Sequence, residues 1–86
     1  MRVHIPTPLR SYTGGEAEVE AGGATLLQVV DALDAAYPGF KFRVVDEQGQ
    51  VRTHIKFFVA GELTKDLHGG VGALDDVDII CALSGG

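Results

Sequence analysis

One stretch, ATLLQVVDALDAAYPG at residues 24–39, does most to limit what this chain folds into. Leu26, Val30, Leu33 and Tyr37 recur at i, i+4, i+7 and i+11, and Leu27 and Val29 widen the stripe. That spacing predicts an amphipathic helix with one apolar face. Thr25 followed by Gln28 reads as a capping box at its start, and Pro38-Gly39 stops it. The helix is therefore expected from about Thr25 to Tyr37, with Asp31 and Asp34 on its solvated side. The other segments lack so clear a helical period, so the layer that buries this stripe must be a sheet.

The strands follow from alternation. In RVHI, Val3 and Ile5 face one way and Arg2 and His4 the other, until Pro6 and Pro8 interrupt the ladder. SYTGG turns at Gly14-Gly15, and EAEVE follows as a weaker strand with Ala17 and Val19 inward, which makes an N-terminal hairpin. In FKFRVVDEQGQVR, Phe40, Phe42 and Val44 alternate, so a short strand or extended arm is expected. THIKFFVAGE is a strong strand with Ile55, Phe57 and Val59 on one face and His54, Lys56 and Phe58 on the other. ELTKDL reads as semi-extended, HGGVGALDD as a flexible loop, and VDIICAL as the last strand with Val77 and Ile79 inward. The expected core is Val3, Ile5, Val19, Leu26, Val30, Leu33, Ile55, Phe57, Val59, Val77 and Ile79.

With a helix crossover between them, the first and last strands are natural parallel neighbours at the centre of the sheet. The fold expected is α+β: a β-grasp, ubiquitin-like, with a mixed four- to five-stranded sheet and one main helix packed on one face. Its 86 residues suit one such domain, assigned to residues 1–83, with residues 84–86 as a flexible C-terminal Gly-Gly tail.

Composition narrows the function classes. Twelve acidic residues against seven basic ones give a net charge of −5, which disfavours nucleic acid and suits a partner with a basic docking surface. A single cysteine rules out an intramolecular disulfide. The N-terminus lacks the apolar stretch of a signal peptide, and no run nears the ~20 residues of a membrane span. A cytoplasmic protein without membrane attachment is expected.

The body of the chain assembles no catalytic motif. His4, His54 and His68 lie in three separate segments, so neither a metal site nor a bound cofactor is expected. Cys81 sits within a strand, where a thiol acts as a small apolar packer. HGGVGA lacks the Gly-Lys-Ser/Thr of a phosphate loop. Asp75, Asp76 and Asp78 read as a turn and an exposed strand edge, or as a negative rim for a basic partner. Phe58 points away from the expected core, either bare on the open face of the sheet as a partner anchor or covered by the FKF arm.

What remains is the end, CALSGG. The VHIP strand, the ATLLQVVDALDAAYPG helix, the FFVAGE strand and turn, and the close LDDVDIICALSGG together resemble the ThiS/MoaD family of ubiquitin-like sulfur-carrier proteins. Ala60 stands where the family commonly has asparagine, and Cys81 where it often has proline before the tail. IPTPLR with ALSGG looks closest to the carriers that feed cysteine biosynthesis.

The resemblance implies a carrier protein, not an enzyme, whose reacting group is the Gly86 carboxylate. A carboxylate is a poor electrophile, ionised at neutral pH with a pKa near ~3.5. A ubiquitin-activating-like adenylating enzyme, using ATP and magnesium, is expected to convert it to an acyl-adenylate. A sulfur-donating protein then supplies the sulfur of a thiocarboxylate, and a downstream biosynthetic enzyme accepts it. Leu83, Ser84 and Gly85 are expected to carry the carboxyl through a narrow channel, which glycine suits because it has no Cβ. The rivals are a ubiquitin-like modifier joined to lysine through Gly86, the small subunit of molybdopterin synthase, and a plain β-grasp interaction module.

Overall fold

The computed structural model describes residues 1–82. Five strands form one sheet: β1 (Arg2–His4), β2 (Glu18–Glu20), β3 (Ile55–Val59), β4 (Glu62–Thr64) and β5 (Asp76–Cys81). Their order is β2-β1-β5-β3-β4. β1 runs parallel to β5, with Val3 beside Val77, and the other three pairings are antiparallel. The expected β-grasp is the fold observed, with the first and last strands side by side at its centre.

α1 (Leu26–Ala36) buries Leu26, Val29, Val30 and Leu33 in the core that covers one face of the sheet. The capping box forms with a shifted partner. The Thr25 hydroxyl accepts from the Gln28 N–H at 3.2 Å, while Gln28 Oε1 accepts from the N–H of Ala24, not of Thr25, at 2.7 Å. Thr25 instead forms a β-bridge to Gly70. The next two helical N–H groups, which have no partner inside a helix, donate to the carbonyls of Gly69 and Leu67 at 3.1 and 2.7 Å. The glycine-rich stretch is a loop, as expected, and it is stitched to the helix start, with Leu67 and Val71 buried.

The FKF segment is corrected. Phe40–Val44 forms a short helix, α2, not a strand or arm. Phe40 and Val44, four apart, are buried, and Phe42 is exposed. The cause lies in α1, where Asp34 Oδ1 accepts from the backbone N–H groups of Gly39 and Lys41 at 3.2 and 3.0 Å. That carboxylate satisfies one orphan donor of the new helix, the Lys41 N–H, and the N–H of its N-cap residue. Gly39 makes the corner at φ +94, where a Cβ would sit 3.3 Å from the Tyr12 ring. Asp31 pairs with Lys41 Nζ at 2.7 Å, so neither helix acid is idle surface.

Three smaller differences follow from packing. The β1–β2 connection is a 3-10 helix over Thr7–Thr13, with Leu9 buried, in place of a simple turn. Ala17 is exposed, and Val59, expected in the core, is half-buried near the end of β3. Phe40, Val44, Val45, Leu9, Leu67 and Val71 complete the core that the strand pattern began.

The β3–β4 hairpin holds a strained residue. Val59 pairs with Glu62, so Ala60 and Gly61 form a two-residue loop, and both have positive φ, +51 and +84. A left-handed conformation costs an ordinary L-residue about 1–2 kcal/mol, and asparagine tolerates it better. Ala60→Asn is therefore expected to stabilise the fold by about 0.5–1 kcal/mol, read as a higher melting temperature. A lower one would mean that the alanine is not strained.

Candidate functional site

Gly86, Gly85, Ser84 and Leu83, the residues on which the sequence reading places the chemistry and the tail, lie outside the described residues. So does the boundary between domain and tail. What the structure describes is the platform the C-terminus leaves from. β5 is the middle strand, and its last residue, Cys81, pairs with Ile55. The N–H of Ala82 donates to His54 at 2.7 Å, which holds the chain against β3 one residue further. Cys81 is a free thiol, half-buried against the core.

The sheet face opposite α1 is open, and the register decides what gathers there. Phe58 sits directly across from Leu63 on one side and Asp78 on the other. Ile80 lies two residues beyond Asp78, opposite Lys56. Cross-strand and diagonal neighbours on one face are within reach of long and aromatic side chains. Leu63, Phe58 and Ile80 therefore make a diagonal apolar strip from the edge strand to the central strand, ending two residues before Ala82. Phe58 is half-buried, while Leu63 and Ile80 are 56% and 44% exposed. The FKF segment does not cover Phe58, because its Phe40 enters the core on the other face. The sequence reading singled out Phe58 and missed Leu63 and Ile80. Their signal was an apolar residue on the polar face of a strand.

Polar groups border the strip. His4 stands among three carboxylates on this face, 3.6 Å from Glu18, 3.7 Å from Asp76 and 3.5 Å from Asp78. Asp76 and Asp78 thus project from a central strand, not a strand edge, and Asp75 accepts from the Gly72 N–H at 2.7 Å. Among the described residues, no three His, Cys, Asp or Glu side chains are grouped as a metal site would require. No described helix is long and apolar enough to cross a membrane.

The model of the ThiS family matches residues 3–86, nearly the whole chain. The sulfur carrier protein CysO of Mycobacterium tuberculosis is 36% identical over 89 residues, covering 98% of this chain and 96% of that protein. Among solved structures, the BexX/CysO complex of Amycolatopsis orientalis contains a chain that matches with a TM-score of 0.90 and 38% identity, over 99% of this chain and 98% of that one. SAMP1 of Haloferax volcanii matches with a TM-score of 0.79 and 28% identity, over 100% and 98%.

Proposed function

This chain belongs to the ThiS family, and from that premise we propose that it is a sulfur carrier, a protein substrate and not itself an enzyme, acting through the carboxyl group of Gly86. The observation that carries the reading is the family match, which runs to the terminal Gly85-Gly86. The apolar strip beside the end of β5 supports it, since a carrier needs a surface by which its partners hold it.

The chemistry proceeds in two transfers. A ubiquitin-activating-like enzyme binds the tail and directs the Gly86 carboxylate to the α-phosphate of magnesium-bound ATP, releasing pyrophosphate and leaving an acyl-adenylate. The terminal sulfur of a protein persulfide attacks the acyl carbon, and AMP departs with the bonding pair. A second thiol attacks the donor's sulfur in the resulting acyl disulfide, forming a disulfide with it, and the thiocarboxylate of Gly86 leaves with the bonding pair. That sulfur is the nucleophile delivered to a downstream biosynthetic enzyme, for cysteine or another sulfur-containing metabolite or cofactor. The carrier contributes position: a rigid sheet that docks and a terminus without side chains that enters.

Intact-mass measurement of the protein purified from its own host tests this. The expected result is a species heavier by the exchange of one oxygen for sulfur, which takes up one more group from a thiol-alkylating reagent than the unmodified chain does. Only unmodified chain, under conditions where sulfur assimilation is active, would overturn it. A second reading, conjugation to lysine as a modifier, is favoured by the likeness to the small archaeal modifier protein of H. volcanii. Lysine conjugates that survive denaturing gels would mark that outcome.

Phe58 is assigned to partner binding. Phe58→Ala is expected to weaken binding to the adenylating enzyme by about 1–2 kcal/mol and to lower the melting temperature only slightly, because the ring is half-exposed. Calorimetric titration and a thermal melt give the two readouts. Equal losses in both would make Phe58 a core residue.

A further inference from the structure

Part of the positive charge of this acidic chain is gathered at one place. Three of its four arginines, Arg10, Arg43 and Arg52, line the grooves on either flank of Pro8 and Cys81, where β5 ends. Arg2, Lys41 and the N-terminal ammonium each face a carboxylate at ion-pair distance. Among the described residues, Arg10, Arg43 and Arg52 face none at that distance, although Asp78 lines the groove of Arg10 and Glu47 that of Arg43 and Arg52.

Their guanidinium groups are held from behind. Arg10 Nε donates to the Ile5 carbonyl at 3.0 Å. Arg52 Nε donates to the Phe42 carbonyl at 2.7 Å, and its guanidinium lies 4.7 Å from the centre of the Phe42 ring. Arg43 stands 6.0 Å from the Tyr12 ring. In Arg10 and Arg52 the inner donor is used, and among the described residues the outer NH2 groups of all three donate to nothing. Holding the fork in place beforehand reduces the ordering cost of a bidentate contact with a carboxylate. Phe42, 57% exposed, adds an aromatic surface beside them. Aromatic and arginine side chains are the types that concentrate binding energy at interfaces.

Position supplies the occupant. The four residues beyond Ala82 extend at most about 13–14 Å. A protein that draws Gly86 into an internal site must therefore bring the mouth of its channel against the ground where the chain leaves β5. We propose that Arg10, Arg43 and Arg52, with Phe42, form a docking rim for an acidic collar of Asp and Glu side chains around the mouth of the partner's tail channel. This rests on the reading that a partner enzyme takes in Gly86, and it names a charged surface beside the Leu63–Phe58–Ile80 strip, whose Ile80 lines the same groove as Arg10. A local positive rim on a chain of net charge −5 also gives the encounter a direction. The basic end turns toward an acidic mouth.

The test is the association rate of the full-length chain with its adenylating enzyme, followed at low and high ionic strength. Arg43→Glu is expected to slow association about 10-fold at low salt and much less at high salt, where screening shortens the reach of charge. Lys65→Glu makes the same change in net charge at a residue that lines neither of the two grooves, and is expected to move the rate by less than about 2-fold. Circular dichroism checks that both variants fold, and Arg43→Gln, a milder change, should fall between wild type and Arg43→Glu. Equal effects of Arg43→Glu and Lys65→Glu would reduce the rim to bulk charge and overturn the proposal. Faster association of Arg43→Glu would reveal a basic collar and overturn it as well. If the wild-type chain neither binds nor supports ATP–pyrophosphate exchange, the carrier reading itself fails. If it does both and Arg43→Glu matches it, only the rim fails.

Discussion

A chain lacking Gly85 and Gly86 is expected to melt as the full chain does and to support no ATP–pyrophosphate exchange with the adenylating enzyme. The two halves of this result have separate causes. Among the described residues the core runs from Val3 to Ile79, all before Ala82, so the deletion removes none of that core and is expected to change stability by less than about 0.5 kcal/mol. The same deletion draws the carboxyl back by roughly 7 Å. Adenylation needs its reacting atoms within ~3–3.5 Å, so the rate should fall to background. One alanine added after Gly86 should also abolish exchange, by overshooting the α-phosphate and bringing a Cβ into a channel shaped for none. Exchange at the native rate from either variant would exclude the Gly86 carboxyl as the reacting group.

The second large effect concerns α2. Phe40→Ala should cost about 3–5 kcal/mol in urea unfolding. A domain of this size is stable by only about 4–13 kcal/mol. Phe42→Ala, two residues on, should cost less than about 1 kcal/mol, because that ring is exposed. A strand would have placed both rings on one face with similar costs. Similar losses from the two variants would therefore contradict the helix.

This pair also marks where the sequence stopped being legible. Phe40, Phe42 and Val44 satisfy a period of two, and Phe40 with Val44 satisfies a helical i, i+4 spacing equally well. The deciding group is the Asp34 carboxylate in the preceding helix, and no local pattern announces it. By contrast, α1 carried a three-turn stripe with its own cap and stop, and β1, β3 and β5 alternated cleanly. Those four elements were enough to imply the sheet's centre. Leu67 and Val71 were hidden among glycines, and their burial follows from backbone bonds to the start of α1. The apolar strip was visible only as single residues. Phe58, Leu63 and Ile80 come from three different strands, and only the register joins them.

The place of β5 in the sheet has a consequence for how the protein is made. The strand that separates β1 from β3 is the last of the five to leave the ribosome. Until Asp76–Cys81 emerges, the nascent chain holds two detached hairpins and a helix with no complete sheet to cover, and Val3 must wait for Val77 across nearly the whole sequence. Pairings this distant in sequence fold late and slowly. A chain interrupted before β5 cannot close its core, so it stays open to proteolysis. In the proposed pathway the activating enzyme then meets only finished molecules: to hold the platform from which the terminus departs, a chain must already have been synthesised through its last strand.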